Sequence, residues 1–248
     1  MGFQDHFSTQ ASGYAKARPT YPPLLFAELA RLTPGRALAW DAGTGNGQAA
    51  VALAELFEQV VATEPSAAQL AEATAHPRVR YHQSAETAPM LADGSVDLLT
   101  VAQAVHWFDR PAYYAEVRRV ARPGAVVALW TYVHCTVAPE IDAALYHFYD
   151  AVVGPYWPPE IVHCVNGYRD LDFPFLELPF PVAQMELEWG LEELIGYIAT
   201  WSAVPRYREE EGRDPIPLLR SALLPLWGEP TLGRRVVWPL AGRIGRVS

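Results

Sequence analysis

The run WDAGTGNGQ, residues 40–48, sets an acidic residue in front of three alternating glycines and so combines a fixed negative charge with exposed backbone. Asp41 closes an apolar stretch that reads as a strand, and Gly43, Gly45 and Gly47 let the chain turn where a Cβ would collide with a ligand. The alanine-rich stretch behind them reads as a helix, whose first N–H groups have no intrahelical partner and can receive a carboxylate or phosphate. A phosphate would be repelled by Asp41, whereas the ammonium of an amino acid would be attracted, which favours an aminoacyl nucleoside over a dinucleotide. A second carboxylate, Glu64, ends a β-branched segment about 20 residues later, where it can accept hydrogen bonds from both hydroxyls of a ribose.

The dinucleotide fingerprint G-x-G-x-x-G/A requires a small third residue, and Gln48 stands in that place. The pattern D-x-G-x-G-x-G instead resembles motif I of the class I S-adenosylmethionine-dependent methyltransferases. Downstream, residues 84–109 resemble the stretch of that family in which Ala85 and Glu86 lie near the adenine, followed by Pro89, the turn Asp93-Gly94-Ser95 and a strand opening at Asp97. Residues 118–130 match the helix end, Pro-Gly turn and fifth strand. The leader at 5–22 resembles that of a subset including small-molecule and trans-aconitate methyltransferase-like proteins, in which it folds over the cofactor.

The resemblance implies a site for S-adenosylmethionine, with S-adenosylhomocysteine as product. Its residues would be Tyr14, Arg18, Asp41, Gly43, Thr44, Gly45, Gly47, Gln48, Glu64, Pro65, Ser84, Ala85, Glu86, Ala102, Gln103 and Ala104. Acceptor contacts would come from Phe7, Tyr21, His134, Trp157 and Trp201. Methyl transfer is an in-line displacement in which holding three atoms collinear supplies much of the rate. A carboxylate acceptor needs no proton removed, whereas a hydroxyl benefits from a general base. His106, two residues past Ala104, is the candidate base, and His134 stands second. The reading is methyl transfer to a carboxyl or hydroxyl oxygen of a small molecule. The alternatives are an N- or C-methyltransferase, or a binding protein that keeps the cofactor pocket without turnover.

The chain has 248 residues, is 50% hydrophobic and carries a net charge of −9, enough for one sizeable core. Without a dense Lys/Arg cluster, nucleic acid is disfavoured as the acceptor. No stretch reaches the length of a membrane span and no targeting signal is visible, which makes a cytoplasmic location the expectation. The pairs His134-Cys135 and His163-Cys164 invite comparison with a metal site. Neighbouring residues of an extended chain point to opposite sides and the spacing fits no usual zinc pattern, so no metal is expected. Oligomeric state is not legible.

These residues need elements to hold them. Helix and strand alternate: helix 24–32, strand 37–42, helix 47–57, strand 60–64, helix 67–75, strand 79–82, strand 96–101, helix 111–121 and strand 125–132. This predicts an α/β fold with a doubly wound sheet, and the resemblance implies seven Rossmann-like strands in the order 3-2-1-4-5-7-6, the last antiparallel. Residues 1–132 would form the cofactor-binding core and its leader. Residues 133–230 would form a helical lid inserted after strand 5, with a helix at 144–153 and irregular chain to 181. Residues 231–248 would close the core sheet as a β-hairpin. The lid aromatics Tyr156, Trp157, Phe173, Phe175, Tyr197 and Trp201 would suit an apolar or planar acceptor.

Overall fold

The computed structural model describes residues 19–248. The expectations placed on Phe7, Tyr14 and Arg18 lie outside the described residues. The first half alternates as its patterning predicts: α1 (Pro23–Leu32), β1 (Leu38–Ala42), α2 (Gln48–Ala54), β2 (Gln59–Glu64), α3 (Ala67–Ala71), β3 (Val79–Gln83), β4 (Val96–Ala102), α4 (Arg110–Val120) and β5 (Ala121–Thr131). Pro23 opens α1, where a missing N–H costs nothing, and the Asp109 carboxylate caps α4 by accepting from the Ala112 N–H.

After β5 come α5 (Pro139–His147), α6 (Ile161–Val165), β6 (Leu176–Leu178), β7 (Gln184–Trp189), α7 (Leu191–Ala199), α8 (Ala203–Glu211), α9 (Ile216–Trp227), β8 (Arg234–Pro239) and β9 (Ala241–Arg246). The main sheet runs β3-β2-β1-β4-β5-β9-β6. β9 pairs antiparallel with both β5 and β6, so the expected order holds with β6 and β9 as its sixth and seventh strands.

Along the central strands, residues alternate between two cores, as a period of two requires. Ala39, Val60, Ala62, Leu98, Val126, Ala128 and Trp130 face one core, shared with α1, α2 and the later helices. Trp40, Ala42, Val61, Leu99, Val101, Val127 and Leu129 face the other, shared with α4 and the segment around Tyr168. Both faces of β1 and β4 are thereby buried, and the ligand-binding edge of the sheet is its carboxyl end.

Three expectations about the second half need correction. Residues 231–248 are not a hairpin of the core sheet: β8 pairs with β7 in a separate two-stranded sheet, and β9 alone joins the core. Leu240 is the single residue between them, too short a link for a hairpin turn, and its N–H goes to Ala183 O. Gly242 allows β9 to lie against β5, since a Cβ there would come within 2.1 Å of Leu129 O. The helix expected at 144–153 starts earlier, at Pro139, and widens into a π turn at Phe148–Val152. The stretch to 181, expected to be irregular, contains α6 and the edge strand β6. Among the described residues, no helix is long and apolar enough to cross a membrane.

Candidate functional site

At the carboxyl ends of β1, β2 and β4 the chain gathers two carboxylates and the glycine turn. Asp41 lies in register with Ala62 on β2 and Thr100 on β4, fully enclosed. Its Oδ1 accepts from Thr100 Oγ1 and its Oδ2 from Thr44 Oγ1, both at 2.6 Å. Burial pushes its carboxyl up to about 6; the two threonine hydrogen bonds pull the other way and the nearby Glu64 charge adds to the rise. Asp41 therefore acts from beneath the turn, as a charge on which the loop is built.

Glu64, at the tip of β2, ties the turn to the second strand. One carboxylate oxygen accepts from Gly45 N–H and the other from Ser66 N–H, each at 3.0 Å. Gly45 itself has φ +57°, and among the described residues a Cβ there would meet nothing within 4 Å: the loop presents bare backbone. At Gly43 a Cβ would come within 2.6 Å of Ala104 Cβ, so the turn packs directly on the chain leaving β4. Gln48 donates to Pro19 O at 3.0 Å, fastening the earliest described residues over the loop. Ser84 N–H bonds Glu64 O and its hydroxyl bonds Thr87 O, which sets the half-buried Ala85 and Glu86 beside the tip of β2, next to Pro65. The sequence-predicted cofactor residues among the described ones thus converge on one end of the sheet. Bare backbone at Gly45 and two carboxylates fit a ligand carrying hydroxyls and an ammonium.

Beyond β4 the site continues into a cavity of about 100 Å³, several times the space one water needs. Gln103, His106 and Trp107 line it from the core side, Tyr132 and Val133 from the end of β5, and Tyr149, Trp157, Ile161, Cys164, Tyr197, Thr200, Trp201 and Ser202 from the insertion. Among the described residues, no charged side chain faces it. Tyr149, Trp157 and Trp201 pack on one another with ring centroids 4.9 to 5.8 Å apart, and Trp157 Nε1 donates to Tyr149 O. Gln103 is fixed at both ends of its amide: Nε2 donates to Tyr132 O and Oε1 accepts from Thr131 Oγ1, both at 2.6 Å.

A scan against family models matches residues 40–129 to a methyltransferase domain. A provisionally named methyltransferase of Dictyostelium discoideum is 32% identical over 226 residues, 90% of this chain and 86% of its own. A solved structure from Anaeromyxobacter dehalogenans, provisionally a type II methyltransferase, superposes with a TM-score of 0.88 at 46% identity, covering 93% of this chain and 98% of its own. The chain belongs to the class I S-adenosylmethionine-dependent methyltransferases. A relative in Saccharomyces cerevisiae, provisionally an S-adenosylmethionine-dependent methyltransferase, matches more narrowly, 26% identical over 133 residues and 46% of its length. The cofactor is S-adenosylmethionine, which supplies a methyl group activated on a sulfonium sulfur.

Within this methyltransferase, His106 lies in a 3₁₀ turn at the cavity wall, 5% exposed, with Nδ1 3.1 Å from the Tyr168 hydroxyl. Burial, with the nearby His163 and Arg110 as smaller contributors, pushes its pKa down to about 3, so the imidazole stays neutral. Trp157 and Trp201 reach the cavity, whereas His134 stacks edge-on against Tyr149 at 4.5 Å behind the lining. Tyr21 packs against Trp130 and Tyr132 at the carboxyl end of β5. Of the other lid aromatics expected at the acceptor, Tyr197 lines the cavity; Tyr156 bonds Glu211, and Phe173 and Phe175 pack against Tyr114. The two His-Cys pairs separate, with Cys135 in one core and Cys164 in the other, and His163 bonds Asp170 at 2.7 Å. Sequence reasoning missed Thr100, Thr131, Tyr149 and Tyr168, and no local signal marks them, because each acts through a partner distant in sequence.

Proposed function

We propose that this methyltransferase transfers a methyl group to a carboxyl or hydroxyl oxygen of a small, largely planar molecule held in the cavity beside Gln103 and His106. The observation that carries this reading is the aromatic, uncharged lining next to the glycine turn. Clustered aromatic rings favour a flat apolar body, and a few fixed polar groups such as the Gln103 amide suit recognition of an oxygen. In the same reading Asp41 and Glu64 serve the ammonium and ribose of the cofactor, Ala85 and Glu86 its adenine, and Ala102 to Ala104 its methionine portion. The net charge of −9 supports a small-molecule partner over nucleic acid.

The transfer itself asks little of the protein beyond alignment and exclusion of water. The oxygen–methyl bond forms as the carbon–sulfur bond breaks, and the electron pair remains on sulfur. Incubation with isotopically labelled S-adenosylmethionine and panels of aromatic carboxylic acids, phenols and amines, read by mass spectrometry, tests the assignment. Labelled methyl on oxygen of acids or phenols is expected; labelling confined to amines would reject the oxygen reading.

A further inference from the structure

The backbone around Tyr168 carries the observation that leads furthest. Among the described residues, Gln103 and Tyr168 are the two non-glycine positions with positive φ, at +57° and +63°. Such conformations cost on the order of 1–3 kcal/mol each and persist where the surroundings dictate them. Both residues meet at the same cavity wall: Gln103 through Thr131 on β5, and Tyr168 through its hydroxyl on His106. Tyr168 follows Gly167, itself at φ +60°, directly after α6, and its N–H donates to His163 O at 2.8 Å. Two consecutive left-handed residues send a fully buried ring from the insertion back under His106.

That hydroxyl is sealed from water and must place its proton on a neighbouring acceptor. His106 Nδ1 lies at 3.1 Å, while the Cys164 thiol approaches the same hydroxyl at 3.9 Å as a weak donor. The Cys164 sulfur is 3.4 Å from Nδ1 and 3.7 Å from Nε2, nearly equidistant, so it lies across the imidazole and not along either nitrogen's lone pair. The Thr131 hydroxyl, which is also a hydrogen-bond partner of Tyr168, gives its proton to Gln103 Oε1 and so stands as the rival acceptor to His106 Nδ1 for the Tyr168 proton.

We propose that Tyr168 is a positioning residue that holds His106 with its proton on Nε2, so that His106 offers a hydrogen bond at the acceptor cavity instead of removing a proton there. The proposal rests on the oxygen-acceptor reading and deepens it. An acceptor served by a neutral N–H donor arrives with its oxygen already free of a proton, as a carboxylate or an ionised hydroxyl. Its lone pair forms the bond to the methyl carbon while sulfur keeps the broken bond's electrons, and no proton moves.

The test is long-range ¹H–¹⁵N correlation on ¹⁵N-histidine-labelled protein saturated with S-adenosylhomocysteine, with His106 assigned by the loss of its signals in His106→Gln. A protonated Nε2 and an unprotonated Nδ1 are expected, with Tyr168→Phe shifting the balance toward protonated Nδ1 while leaving S-adenosylhomocysteine affinity within twofold. Protonated Nδ1 in the parent protein, with Tyr168 turned to Thr131, would overturn the proposal, as would a tautomer indifferent to Tyr168→Phe. The labelled-methyl screen fails or succeeds independently, so the two readings are separable.

Discussion

Replacing Asp41 by Asn should stabilise this protein at alkaline pH while weakening its hold on the cofactor. The carboxylate is fully buried, and its pKa rises from the ordinary 3.8 to about 6. A shift of that size corresponds to about 3 kcal/mol between the two protonation states. Because the folded value lies above the unfolded one, Asp41 contributes most to stability below about pH 4 and loses that contribution as pH rises through about 6. Asn carries no charge to desolvate, but only one of its two side-chain atoms can accept, so Thr44 or Thr100 must reverse its hydroxyl. That rearrangement costs about 1 kcal/mol, leaving a net gain of about 2 kcal/mol at pH 8 and none at pH 4. Urea unfolding of both proteins at the two pH values measures the difference. Titration calorimetry with S-adenosylhomocysteine should show affinity reduced about thirtyfold at pH 8, from the lost attraction between carboxylate and ammonium. A variant less stable than the parent at pH 8, or one shifted equally at both pH values, would refute the reasoning.

Three further outcomes are expected. Gly45→Val should abolish S-adenosylhomocysteine binding by calorimetry, since its side chain covers the bare backbone of the loop, and should cost about 1–2 kcal/mol in urea unfolding for the left-handed backbone. Trp157→Leu should raise KM for the acceptor about tenfold in steady-state kinetics with cofactor affinity unchanged, because the ring lines the cavity and lies outside the glycine turn. Gly242→Ala should destabilise by about 3 kcal/mol or more in thermal unfolding, because a Cβ 2.1 Å from Leu129 O forces β9 away from β5.

The first half of the fold was legible because its information is local. Period-two apolar runs and a glycine turn depend on neighbours a few residues away, and β1 to β5 follow within a few residues of their expected bounds. The second half was harder to read. The β8 segment has the alternation of a strand, but pattern alone does not say which sheet accepts it. Val236 and Trp238 bury against the later helices, drawing β8 to β7, while Gly242 lets β9 cross to β5. At the site, the aromatics of the insertion were visible as a group, yet their sorting into cavity and packing is decided by the tertiary fold. Trp157 and Trp201 line the cavity while Phe173 and Phe175 pack against Tyr114, although all four read alike in composition.

By itself, the sequence determined the position of the glycine turn, the carboxylates at the ends of β1 and β2, the strand order through family likeness, and the excess of negative charge. All but the strand order, which rests on the family likeness, follow from residue type and short spacing. Tertiary structure alone decided that Asp41 is sealed between two threonines, that His106 is neutral, and that Tyr168 reaches it across 62 residues of chain. Protonation and orientation depend on the dielectric and the partners surrounding a group, and those are fixed only when distant segments pack together.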